Sequence, residues 1–198
     1  MNKMTDTRNG ALSEQVAGAD LDPRAKGFME MLEKVKQADA YYEAIKSFID
    51  KNEWHAFIVD KENRVIVMGF SMKNAAFMVM VRVDAEAEIV TINATLPISC
   101  LSEYLFLMDS KLSRLNETVP YGAFRLNEDD GKITYRLTFS IAGQEFNDKM
   151  FDNYLDCCLI IPDINYKKIV KYATGALSRE EKVEVLGKLK SLAVAINE

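Results

Sequence analysis

Apolar residues fall on every second position between Trp54 and Leu96 and on every third or fourth position before and after, which predicts strands in the middle and helices at the flanks. The period-two stretch divides into four runs, 54–60, 64–71, 75–84 and 88–97. They are separated by Lys61-Glu62-Asn63, by Lys73-Asn74 and by Ala85-Glu86-Ala87. Links this short cannot carry parallel crossovers, so the runs predict an antiparallel meander that Pro97 is expected to end. In the third run Phe77, Val79, Val81 and Val83 share one face, and Met78 and Met80 lie on the other. In the second, Val65 and Val67 oppose Ile66, Met68 and Phe70. The fourth sets Val90, Ile92, Ala94 and Leu96 against Thr91, Asn93 and Thr95. Apolar groups on both faces require two covers, helices on one side and a partner on the other.

A second period-two block, residues 122–140, reads as a hairpin around Asp130-Gly131. Phe124 and Leu126 alternate with Arg125, and Ile133, Tyr135, Leu137 and Phe139 alternate with Thr134, Arg136 and Thr138. A lone hairpin is marginal in water, so it is expected to extend the meander's sheet.

The flanks read as helices. Asp22-Pro23 supplies a cap and a first-turn proline, followed by Phe28, Met31, Leu32 and Val35. Tyr41, Ile45, Phe48 and Ile49 carry the period on to about Lys51, and whether the two segments join is left open by the pattern. Leu101, Leu105, Met108, Leu112 and Leu115 place a helix over 100–115. Another, bearing Phe146, Met150, Tyr154, Cys157 and Cys158, is expected to close near Pro162, whose ring removes a backbone donor. A separate amphipathic segment over 164–174 ends at Gly175, a left-handed cap. Ser178-x-x-Glu181 opens a last helix with Val185, Leu186, Leu189, Leu192 and Ile196. The class is α+β, an antiparallel sheet of meander plus hairpin packed with helices. Residues 1–21 are polar and read as a flexible tail, and 22–198 as a single domain.

Composition narrows the function. A net charge of -5 argues against a nucleic-acid partner. No apolar run approaches the roughly 20 residues of a membrane span. Three cysteines, Cys100, Cys157 and Cys158, lack metal-ligand spacing and read as free thiols. With no positive segment and apolar run at the start, they point to a reducing cytoplasm. The single histidine, His55, leaves no triad, and it reads as a strand-edge or sheet-face residue. Glu128, Asp129 and Asp130 lack the alternation of a calcium loop and read as a solvated turn. No glycine-rich phosphate loop occurs, and Lys167, Lys168 and Lys171 read as a solvated helix face. Catalytic, cofactor and metal residues are therefore assigned to none. Methionine is abundant, and an exposed group of Met68, Met78 and Met80 would form an adaptable apolar patch.

The helix LSEYLFLMDSKLSRLN followed by YGAFRLNEDDGKITYRLTFS resembles the YbjN family, a bacterial group labelled sensory transduction regulators, within a fold similar to type III secretion chaperones. The resemblance covers roughly 41–160, which leaves 161–198 as a C-terminal helical extension. It implies a non-enzymatic, dimeric protein similar to chaperones that hold extended peptide segments. The expectation is a cytoplasmic homodimer that binds an unidentified protein or peptide through Met68, Phe70, Met78, Met80, Arg82 and Arg136, with Arg125 also at the rim. The alternative is a small-ligand sensor whose pocket, between sheet and helices, is lined by Tyr135, Tyr154 and Arg136. An enzyme using Asp or Glu pairs is the third reading, and it has no mechanism to test.

Overall fold

The computed structural model describes residues 22–180 and Val183. The expected tail over 1–21, and the last helix apart from its first residues and Val183, lie outside the described residues.

The order is helix α1 (Pro23–Lys51), strands β1 (Ala56–Asp60), β2 (Val65–Ser71), β3 (Ala76–Asp84) and β4 (Ile89–Ser99), then a short 3-10 turn (Ser102–Tyr104). Helix α2 (Leu105–Asn116), β5 (Ala123–Leu126), β6 (Lys132–Ser140) and α3 (Asp148–Ala173) complete it. The strands form one sheet in the order β1-β2-β3-β4-β6-β5, every neighbouring pair antiparallel. The architecture is α+β, as the pattern predicts. The hairpin joins the meander through β6, which lies against β4 and leaves β5 at the edge.

Three helices pack on one face. Their contacts bury Ile66 and Met68 of β2, Phe77, Val79, Val81 and Val83 of β3, and Val90, Ile92, Ala94 and Leu96 of β4. Tyr41, Tyr42, Ile45, Phe48 and Ile49 answer from α1, and Phe151, Leu155, Cys158 and Leu159 from α3. Phe48 meets Phe151 edge-on at 5.5 Å, so the two helices share an aromatic seam.

The two helical segments predicted before Trp54 are one helix. Asp22 accepts from Arg24 N–H at its start, and Pro23 occupies the first turn. At 29 residues the helix is about 44 Å long, against about 30 Å for the nine residues of β3. It outruns the sheet, and its buried positions begin only at Ala38. Phe28, Met29 and Met31 are more than half exposed. The apolar period of the first turns therefore does not mark a face on the core.

The same helix ends in a Schellman motif with an unusual residue. Trp54 N–H donates to Ile49 O (3.2 Å) and Glu53 N–H to Asp50 O (3.1 Å), while Trp54 packs on Phe48 at 5.6 Å. The left-handed position belongs to Glu53, at φ 56°. A Cβ there costs about 1–2 kcal/mol, partly offset by glycine's greater unfolded-state entropy. Glu53→Gly is expected to stabilise the protein by about 0.5–1 kcal/mol. The check is a rise in Tm, and an unchanged or lower Tm would contradict it.

Two prolines do not act as their local rules predict. Strand β4 runs through Pro97 to Ser99. The register with β6 shifts between Thr95 and Ser99, so the proline lies in an interruption of the ladder, where no N–H is required. Pro162 does not end a helix either. The segments expected on either side of it are one helix, α3, and Pro162 is buried inside it. Proline removes one hydrogen bond, but the helix buries Leu155, Cys158 and Leu159 before that point and Ile169, Tyr172 and Ala173 after it. Docking of both halves outweighs the local penalty. Gly175 follows at φ 65°, the left-handed conformation read from the sequence.

Directly after Pro162 comes Asp163, the buried charged residue of the described core. Its Oδ1 accepts from the backbone N–H of Asn74 (2.7 Å) and of Ala75 (3.2 Å), and Asn74 Nδ2 donates to its Oδ2 (3.1 Å). A helix carboxylate thus holds the β2–β3 turn. At the other side of the domain, Asn116 ends α2 and pairs with both backbone groups of Phe124. Its Nδ2 donates to Phe124 O (3.1 Å), and Phe124 N–H donates to its Oδ1 (2.7 Å). The asparagine followed by Gly-x-Phe in the family-like motif is therefore a clasp between α2 and the edge strand.

Candidate functional site

The side of the sheet away from the helices is open among the described residues, and its side chains form rows that follow from the register. One row runs Ile58, Val67, Met80, Asn93, Arg136 and Ala123 across the six strands. The next runs Gly69, Met78, Thr95, Thr134 and Arg125, and a third Asp60, Val65, Arg82, Thr91 and Thr138. The first two rows turn from apolar on β1–β3 to polar on β4, β6 and β5, with Ala123 the apolar exception. Met78 is 59% exposed, Phe57 64% and Ile58 53%, side chains large enough to form a patch a partner would dry.

A bulge builds the β1 end of this patch. The register of β1 on β2 shifts between Ala56 and Ile58, which makes Phe57 the extra residue. A Cβ placed on Gly69 would come within 2.6 Å of the Phe57 ring, so that ring lies on the open face over the glycine. Neither Phe57 nor Ile58 was singled out by sequence reasoning. The usable signal is Gly69, because a glycine inside a strand marks a close approach.

The six predicted partner-binding residues are divided by the sheet. Met78, Met80, Arg82 and Arg136 are on the open face. Met68 is fully buried under the helices, and Phe70, half-buried, packs on Trp54 at 5.4 Å on that same side. The expected trio of Met68, Met78 and Met80 does not exist as a patch. Pairing across the Lys73-Asn74 turn sets Phe70 opposite Phe77 and Met68 opposite Val79, which commits both to the core.

The alternative pocket is likewise dispersed. Tyr154 lines a surface groove of about 740 Å³ with Pro120, Tyr121, Met150, Cys157 and Ile160. Tyr135 is buried in the core, where its hydroxyl donates to Tyr121 O and burial pushes its phenol far up. Arg136 is on the opposite face of the sheet. The sheet therefore separates Arg136 from Tyr135 and Tyr154 among the described residues.

Burial raises the thiols of Cys100 and Cys157 and pushes that of Cys158 up to about 12, so none of the three is an activated nucleophile. His55 is exposed and touches Phe57 edge-on at 5.4 Å. No group of metal-binding side chains occurs among the described residues, and no helix there is long and apolar enough to cross a membrane.

Comparison with known proteins gives a family. The YbjN family, described as "Putative bacterial sensory transduction regulator", matches residues 41–169, past Pro162 and beyond the 160 expected. No curated protein matches the chain. Among solved structures, YbjN of E. coli, described as "a putative transcription regulator", aligns at TM-score 0.49 and 8% identity, over 64% of this chain and 92% of that one. An uncharacterized protein from Methanothermobacter thermautotrophicus aligns at 0.47 and 10% identity, over 66% and 97%. A chain of the ExsC–ExsE complex aligns at 0.43 and 15% identity, over 68% and 92%. These structural likenesses are loose, whereas the family match spans more than half of the chain.

Proposed function

Because the chain belongs to the YbjN family, we propose that it is a non-enzymatic regulatory module that works by binding another polypeptide on its open sheet face. The observation that carries this reading is the exposed group Phe57, Ile58 and Met78 beside Met80, on the face that the described helices leave uncovered. Full burial of one such side chain contributes about 1.5–3 kcal/mol, so two or three suffice for a selective contact. Methionine's flexible thioether suits a surface that adapts to the peptide it receives.

A randomised peptide library displayed on phage and selected on the full chain tests this. Selected peptides are expected to lose about 3 kcal/mol of binding, roughly a hundredfold, on Met78→Asp with Met80→Asp. Binding should be unchanged by Ile160→Asp, which alters the groove on the helix layer. The proposal fails if the methionine variant binds the peptides as well as the wild type does, or if selection enriches nothing.

A further inference from the structure

The open face is not only apolar. On its β4–β5 half it carries Arg136, opposite Asn93 and Ala123, and Arg125, opposite Thr134. Neither arginine has an ion-pair partner among the described residues, whereas Arg64 on the turn before β2 pairs with Asp39 at 2.7 Å. The face's own carboxylates are engaged elsewhere. Asp60 accepts from Asn63 in the β1–β2 turn, and Asp84 accepts from Ala87 N–H in the turn after β3 while approaching Arg82. In a chain of net charge -5, two unpaired guanidinium groups beside an apolar half are a local reversal of sign.

We infer that the partner segment is amphipathic and acidic, with apolar side chains that seat on Ile58, Met78 and Met80 and Asp or Glu side chains that reach Arg136 and Arg125. This rests on the reading of the open face as the binding face. Three strands span about 10 Å, the width of one helix or of a short strand pair, so one such segment covers the apolar half and leaves its flank over the arginines. Arginine's planar fork matches a carboxylate in a bidentate contact. A second copy docked face to face is the weaker fit, because the carboxylates on this face are already engaged.

The experiment selects the same phage library on wild-type chain and on Arg125→Glu with Arg136→Glu, with Arg125→Gln and Arg136→Gln as a neutral pair. These positions are at the surface, and circular dichroism confirms folding. Wild type is expected to enrich apolar peptides rich in Asp and Glu, the charge reversal to enrich Lys and Arg instead, and the Gln pair to bind the acidic peptides at least tenfold more weakly. Raised salt should weaken the wild-type complex and not the Gln pair's. Apolar peptides without acid bias, bound equally by all three proteins, would overturn this inference and leave the open-face reading standing. An absence of enriched peptides would overturn both. Arginine-dependent binding to vesicles of anionic lipid without peptide binding would assign the face to a membrane surface and overturn the inference. A dimer in light scattering that Met78→Asp dissociates would assign it to a second copy, with the same result.

Discussion

Asp163→Ala is expected to destabilise the protein by about 3–4 kcal/mol. Asp163 is 6% exposed, and removal of its carboxylate strands the backbone N–H groups of Asn74 and Ala75 together with the Asn74 amide. A hydrogen bond to a charged group contributes about 1.5–3 kcal/mol, and each donor left enclosed adds its own desolvation cost. Asp163→Asn keeps one acceptor oxygen and is expected to cost about half as much. Urea unfolding followed by circular dichroism separates the two, and a loss below 1 kcal/mol for the alanine variant would show that water replaces the carboxylate freely. The loss should appear as a lower midpoint with an unchanged m-value, because the fold and its buried area remain the same.

Gly131→Ala should be almost as damaging, at about 3 kcal/mol. The Asp130-Gly131 turn reads in the sequence as an ordinary solvated connector, yet Gly131 is buried. It sits at φ 67°, and a Cβ there would lie 2.3 Å from the backbone oxygen of Cys100. Cys100 N–H donates to Gly131 O at 2.8 Å, so the glycine is bound to the segment that leaves β4. The neighbour is backbone rather than a side chain's free end, so it cannot swing away. Left-handed strain of about 1–2 kcal/mol adds to that clash. Gly143→Ala is the control, because Gly143 shares the positive φ and faces open space. If the two variants lose the same stability, the cost is conformational and the close approach contributes nothing.

The strands and the order of the meander were legible because period two is dictated by the pleat, and short links leave only hairpins, whereas the docking of the hairpin through β6 follows from no local pattern. The helices were legible in place but not in extent. Pro97 and Pro162 obey local rules that speak of one hydrogen bond, while the elements around them are held by burial along their whole length. The site was legible by half. Met78, Met80, Arg82 and Arg136 alternate with the buried residues of their own strands, and alternation alone placed them. Met68 and Phe70 were grouped with them by residue type, although the turn at Lys73-Asn74 already pairs Phe70 with Phe77. Phe57 was hidden for a different reason. A bulge breaks the period that pattern reading depends on, and what marks it lies in another strand, at Gly69.

The contact between Asp163 and the β2–β3 turn also sets a clock. Asn74 and Ala75 are in a tight turn, where amide protons ordinarily trade with water within the fast regime of loops. Here both amides are bound to a carboxylate on α3, so they exchange only when that helix lifts from the sheet. Their deuterium uptake therefore times the opening of the helix layer, not the fraying of the turn. The same hairpin carries Met78 on the far side of the sheet. A ligand there that holds the sheet against the helix layer would slow two protons it never touches.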